Sequence, residues 1–163
     1  MENTEAELSL GPAPGAPREF EEFYSGAWPR AVRLAALLTQ DASVAEEVAQ
    51  EAFVAVFERW AGLEEPAGYL HRCITNSASM YHRRAGTQRR KLPMLDSGGP
   101  ASLGFDELAD AVAALPFRQR AAIVLRYHAA LSEREIADAL GCRPGTVKSL
   151  ASRALSTLHK ELS

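Results

Sequence analysis

The chain has 163 residues, 47% of them hydrophobic and 24% charged, with two cysteines and a formal net charge of −3. That composition excludes a disordered, collagenous or disulfide-stapled chain, and no apolar run approaches the roughly 20 residues of a membrane-spanning helix. The length suits one ordinary domain or two small ones, and a net charge this close to neutral argues, as an average, against a nucleic-acid partner.

Taken in chain order, residues 1–17 are rich in Pro, Gly and Ala, lack an amphipathic period and read as a flexible tail. Their acidic start does not have the layout of a secretory signal. With only Cys73 and Cys142 in the chain, the expected setting is a reducing cytoplasm. The first domain, residues 18–91, opens on Phe20-Glu21-Glu22-Phe23-Tyr24, and Pro29 suits the first turn of a helix through Leu38. Ser43 followed by Glu46 is a capping box, opening a helix that carries Val48, Phe53, Phe57 and Trp60. Up to residue 70 the chain holds 13 acidic and 4 basic side chains, a balance of −9.

Pro66 starts a third helix that reaches about Arg84. Here the charge reverses: residues 71–91 carry Arg72, Arg83, Arg84, Arg89, Arg90 and Lys91 and no acid. Arg72, Asn76, Ser79 and Arg83 are spaced by four, three and four and fall on one stripe, while Leu70, Ile74, Ala78 and Tyr81 face the core. An amide between cations can hydrogen-bond a base edge while its neighbours meet phosphates. The alternative is a solvated face on which Arg72 pairs with a local acid and Asn76 bridges. Residues 92–103, within the run LPMLDSGGPASLG, have linker chemistry.

The second domain, residues 104–163, reads as helices from Phe105 to Ala114 and from Phe117 to Ala129, separated by Pro116. Ser132 and Glu135 form a second capping box, opening a helix from Glu133 to Leu140. Gly141-Cys142 makes the turn, and Pro144 begins the last helix. On that helix Val147, Ala151, Ala154, Leu155 and Leu158 form the buried stripe. Lys148, Ser149, Ser152, Arg153 and Ser156 cluster opposite, without an acid. Two cations among short hydroxyls suit a helix that enters a major groove, and the pair of helices reads as a helix-turn-helix. An ordinary helical hairpin with a soluble face is the alternative. The fold class is all-α: two small helical domains joined by a flexible linker.

The segment Leu115-Pro116-Phe117-Arg118-Gln119-Arg120, followed by LRYHAALSEREIADALGCRPGTVKSLASRAL, closely resembles the C-terminal promoter-binding region of bacterial extracytoplasmic-function (ECF) sigma factors, group IV of the sigma-70 family. Ala45-Glu46-Glu47-Val48-Ala49-Gln50-Glu51-Ala52-Phe53 and Tyr69-Leu70-His71-Arg72-Cys73-Ile74-Thr75-Asn76 resemble its N-terminal conserved region. The resemblance implies a region 2-like bundle for the first domain and a region 4-like helix-turn-helix for the second. Such proteins bind core RNA polymerase through the clamp coiled coil of its largest subunit and its flap, and they direct initiation at −35 and −10 promoter elements. Carried onto this chain, −35 contacts fall on Arg143, Thr146, Lys148, Ser149, Ser152 and Arg153. Contacts to the −10 element fall on Tyr69, Arg72, Asn76, Ser79, Arg83 and Arg84, with the loop Ala61 to Gly68 beside a flipped base. Polymerase contacts fall on Glu46, Glu47, Gln50 and Glu51. Leu150 departs from the pattern, standing where many members carry arginine, and Arg143 occupies a position where a serine N-cap is common. The resemblance also admits an anti-sigma factor as partner.

Residues for chemistry are not assembled anywhere in the sequence. Cys73 and Cys142 form no paired ligand motif, and there is no Gly-rich phosphate loop or Ser-His pattern. The expectation is a protein without catalytic centre, metal or cofactor. Two other readings stand beside the initiation factor: a two-domain helix-turn-helix regulator of duplex DNA, and a helical protein-interaction adaptor.

Overall fold

The structure is a computed structural model that describes residues 16–88 and 105–163. The linker expected at 92–103, and Arg89, Arg90 and Lys91 before it, lie outside the described residues. Among the described residues there are seven α-helices and no strands: α1 (Ala16–Thr39), α2 (Ala42–Glu58), α3 (Pro66–Gln88), α4 (Phe105–Ala114), α5 (Phe117–Tyr127), α6 (Glu133–Leu140) and α7 (Pro144–Glu161). No described helix is long and apolar enough to cross a membrane.

The first unit is a three-helix arrangement of α1, α2 and α3. Pro29 does not start α1 but lies inside it. An internal proline removes one hydrogen bond and costs about 3 kcal/mol. Burial on both sides of it offsets that cost: Phe20, Phe23, Tyr24 and Ala27 pack against the core before Pro29, and Ala31, Leu34, Ala35 and Leu38 are buried after it. The apolar period therefore runs unbroken through the proline. Helix α1 ends where Gln40 takes a positive φ of 57° and the fully buried Thr39 hydroxyl donates to the Ala35 carbonyl at 2.7 Å.

Ser43 does not cap α2 either. The N-cap is Asp41, whose Oδ1 accepts the Ser43 backbone N–H at 2.9 Å. Its Oδ2 accepts the Tyr81 hydroxyl of α3 at 2.7 Å, so one carboxylate ends a turn, starts α2 and ties it to α3. Trp60 lies beyond α2, in a 3-10 turn from Trp60 to Gly62. There it closes an aromatic cluster, with its ring 5.4 Å from both Phe20 and Phe23. Helix α3 opens at Pro66 as expected and runs to Gln88, past Arg84.

In the second unit α5, α6 and α7 pack on one another, with α4 against α7. Ser132 and Glu135 form the expected capping box, at 3.2 Å and 2.7 Å. Gly141 takes φ 63° and ψ 41°, a left-handed conformation that glycine adopts without the strain of a Cβ. It lets the Cys142 N–H reach back to the Ala137 carbonyl at 3.0 Å, which closes the α6 end and turns the chain into α7. Helix α5 ends at Tyr127, short of Ala129.

The two units share a core. Leu38, Ile74 and Ala78 of the first join Ala121, Val124, Leu125 and Ile136 of the second in a single buried cluster. Helix α6 lies against α3, and α5 against α1.

Candidate nucleic-acid and partner interfaces

Helix α7 presents the second unit's exposed face. Val147, Ala151, Ala154 and Leu158 are buried, which fixes the helix rotation. Arg143, Thr146, Lys148, Ser149, Ser152 and Arg153 are all exposed as a result. Leu155, expected in the buried stripe, is 43% exposed; it falls at the edge of the apolar arc, roughly 70° from its centre at about 100° per residue. Leu150, on the other edge, is half-buried. Arg143 is the N-cap of α7 and makes no side-chain cap bond. The Ser149 hydroxyl donates to the Gly145 carbonyl at 3.2 Å.

Helix α3 carries the second exposed basic stripe. Leu70, Ile74 and Ala78 are buried, while Arg72, Asn76, Arg83 and Arg84 are exposed and Ser79 is half-buried. Along the adjoining face, Thr75 and Ala78 are buried and His71 and His82 are half-buried against the second unit. Tyr69 is half-buried, and the Arg59 guanidinium lies 5.6 Å from its ring centroid. Arg59 also lines an open hollow with Glu58, Ala61, Gly62 and Leu63, so hollow and α3 stripe meet at the Arg59–Tyr69 pair. Arg59 is absent from the residues singled out in sequence. Its signal is position, a cation on the last residue before the loop. Cys73 is half-buried, and burial pushes its thiol up from the ordinary range.

On α2, Glu46, Glu47, Gln50 and Glu51 are all exposed. Glu47, Gln50 and Glu51 line a groove with Phe20, Tyr24, Phe53, Val54 and Phe57. Val54 is 57% exposed and Phe57 44%, so the groove has an apolar floor and an acidic edge. The apolar half is missing from the residues singled out in sequence. Its signal was Val54, which falls off the arc of Val48, Ala52 and Val56 and sits among the glutamates.

A helix-turn-helix with an acid-free outer face, joined to a helical bundle with a second basic stripe, defines a two-domain DNA-binding protein. The comparisons narrow the class. Residues 24–88 match Sigma-70 region 2 and residues 105–158 match Sigma-70, region 4. The chain is 32% identical over 158 residues to the RNA polymerase sigma-E factor of Streptomyces avermitilis, covering 92% of this chain and 88% of that one. It is 31% identical, with the same coverage, to that of Streptomyces antibioticus. Among solved structures, the sigma factor RpoE of Bartonella quintana, in complex with the anti-sigma factor NepR, has a TM-score of 0.74 at 22% identity, covering 89% of this chain and 97% of that one. CnrH, in complex with the cytosolic domain of CnrY, has a TM-score of 0.68 at 20% identity, covering 91% and 90%. The chain belongs to the sigma-70 family, among its ECF sigma factors: it is an alternative sigma factor, which acts with RNA polymerase to direct transcription initiation at promoters.

Proposed function

We propose that the two basic faces divide promoter reading between them. Lys148, Ser149, Ser152 and Arg153 enter the major groove of the −35 element, with Arg143 and Thr146 at the start of α7 on its phosphates. Arg72, Asn76, Ser79, Arg83 and Arg84 take the −10 element, with Asn76 reading the edge of an unstacked base and Tyr69 and Arg59 bordering its hollow. The groove between α1 and α2 takes the polymerase clamp coiled coil: Glu46, Glu47, Gln50 and Glu51 face its cations, and Val54 and Phe57 give the contact an apolar centre. The second domain also meets the polymerase flap. The chain has no catalytic role of its own, works in the cytoplasm and, as RpoE does with NepR, takes an anti-sigma factor as partner.

The observation that carries this reading is the pairing of two exposed basic faces on separate domains with an acidic, apolar-floored groove on the first. A duplex-binding regulator needs the α7 face but neither the α3 stripe nor the groove. The test is transcription by core polymerase with the purified chain on candidate promoters. Asn76→Ala is expected to lose promoter opening while keeping affinity for −35 duplex; Arg153→Ala is expected to lose both. A chain that binds promoter duplex but never associates with core polymerase refutes the reading.

A further inference from the structure

The exposed side of α3 carries one large apolar side chain. Met80 is 51% exposed, whereas Ser79, which the sequence spacing places on the stripe, is half-buried. The exposed positions in successive turns are therefore Arg72, Asn76, Met80, and then Arg83 and Arg84. At about 100° per residue, Arg72, Asn76, Met80 and Arg83 fall within roughly 80° of one another. An apolar thioether thus stands in the middle of a stripe of cations and one amide.

Packing does not account for Met80. Leu70, Ile74 and Ala78 fill the core side of α3, and Thr75 is buried on the side that faces the second unit. Among the described residues of the first unit, the other large exposed apolar side chains are Val54 and Phe57, which share the groove on α2. Met80 is on a different helix, among groups suited to nucleic acid.

Methionine is unbranched, polarizable and adapts to irregular gaps. Proteins that distort DNA insert such apolar side chains between base steps, where they partly unstack the pairs and take a place in the stack. Asn76 precedes Met80 by one turn, about 6 Å along the helix at ~1.5 Å per residue. That is less than two base steps of ~3.4 Å each. A base extruded toward Asn76 leaves its neighbour's face open to water, and the side chain of Met80 is the apolar group within reach of that face. We infer that Met80 is a wedge for promoter opening: its side chain covers the base face bared when a −10 base leaves the stack, while Asn76 reads the extruded base.

This role rests on the assignment of α3 to the −10 element proposed above. It belongs to the melting step, so it is felt on paired DNA and not on DNA that is already open.

The test uses holoenzyme assembled from core RNA polymerase and the full chain. The template is a promoter duplex that the wild-type holoenzyme selects from a random-sequence pool. Opening of the paired duplex is followed by 2-aminopurine placed beside the −10 element, and transcript yield is compared on the same duplex mismatched across that element. Covering about half of a methionine side chain is worth about tenfold in an equilibrium. Met80→Ala is therefore expected to lower the opening equilibrium of paired DNA about tenfold and to transcribe the mismatched template like the wild type. Met80→Leu keeps an apolar group of similar volume and should recover most of the loss. Met80→Gln keeps the length without the apolar end and should not. Three results overturn the proposal: Met80→Ala opening paired DNA like the wild type, a loss of equal size on both templates, or recovery by Gln equal to that by Leu. Asn76→Ala separates this outcome from the wider reading. If Asn76→Ala impairs opening and Met80→Ala does not, the wedge alone falls; if both open paired DNA normally, the assignment of α3 falls with it.

Discussion

Replacing Asp41 by alanine removes three hydrogen bonds at once, from the Ser43 N–H, the exposed Ser43 hydroxyl and the Tyr81 hydroxyl, and the structure allows the sizes of the cap and the Tyr81 bond to be separated. As N-cap, Asp41 accepts the Ser43 N–H, and loss of such a cap costs about 1 kcal/mol. Its second oxygen accepts the part-buried Tyr81 hydroxyl, a bond to a charged acceptor worth about 1 kcal/mol at this exposure. The expected loss for Asp41→Ala is therefore about 2 kcal/mol, close to thirtyfold in the folding equilibrium. Tyr81→Phe should lose about 1 kcal/mol, with a coupling of about the same size in the double-mutant cycle. Ser43→Ala should lose at most about 0.5 kcal/mol, because its backbone N–H is kept and alanine favours a helix. Urea unfolding is followed by tryptophan fluorescence, which reports on the first domain alone because Trp28 and Trp60 are the only tryptophans. The pH dependence has a definite sign. The Ser43 hydroxyl, and then Tyr81, hold the Asp41 carboxyl below its ordinary value. Its stabilisation is complete above about pH 4 and is lost as the pH falls through the lowered folded value. Asp41→Asn should remove that part of the acid sensitivity. A Ser43→Ala loss equal to that of Asp41→Ala, or strict additivity of Asp41 and Tyr81, would refute the assignment of the cap.

Other changes probe the interfaces and the turn. Arg153→Ala leaves the α7 packing untouched, so thermal stability should hold while −35 duplex affinity falls; if the contact is to phosphate, the salt slope should drop by about 0.9. Val54→Asp, at a side chain 57% exposed in the α1–α2 groove, should abolish co-purification with core polymerase and leave helix content unchanged. At Gly141 nothing stands within 4 Å of an added Cβ, so Gly141→Ala pays only for the left-handed backbone. Its expected cost is about 1–2 kcal/mol by chemical denaturation, and Gly141→Asn should recover part of it.

Most of the helices were legible because their signals are local. The box of Ser132 and Glu135, Gly141 and Pro144 each act within four residues of themselves, and the structure places each in that role. Pro29 misled because a proline has two local readings, helix start or internal break. Only the apolar period on both sides, from Phe20 to Leu38, decides between them. Asp41 was passed over for Ser43 because both are good caps, and what selects Asp41 is Tyr81, 40 residues away. The exposed faces of α3 and α7 could be read as complements of their buried stripes. The apolar floor of the α2 groove could not, since it depends on how α1 lies beside α2. Arg120 is the extreme case. In sequence it is one more cation on a helix, and the Leu38 carbonyl to which it donates lies 82 residues back.

The packing of the two domains also gives the uneven charge of the chain a structural meaning. A net −3 conceals an acidic front and a block of six cations without an acid at 71–91. Helix α6, which lies against α3, carries Glu133, Glu135 and Asp138. Glu135 acts on His71, the residue next to Arg72 of the basic stripe. The packing of α6 on α3 therefore brings acids of the second domain to the helix that carries the basic stripe, while Arg72 and Asn76 stay exposed.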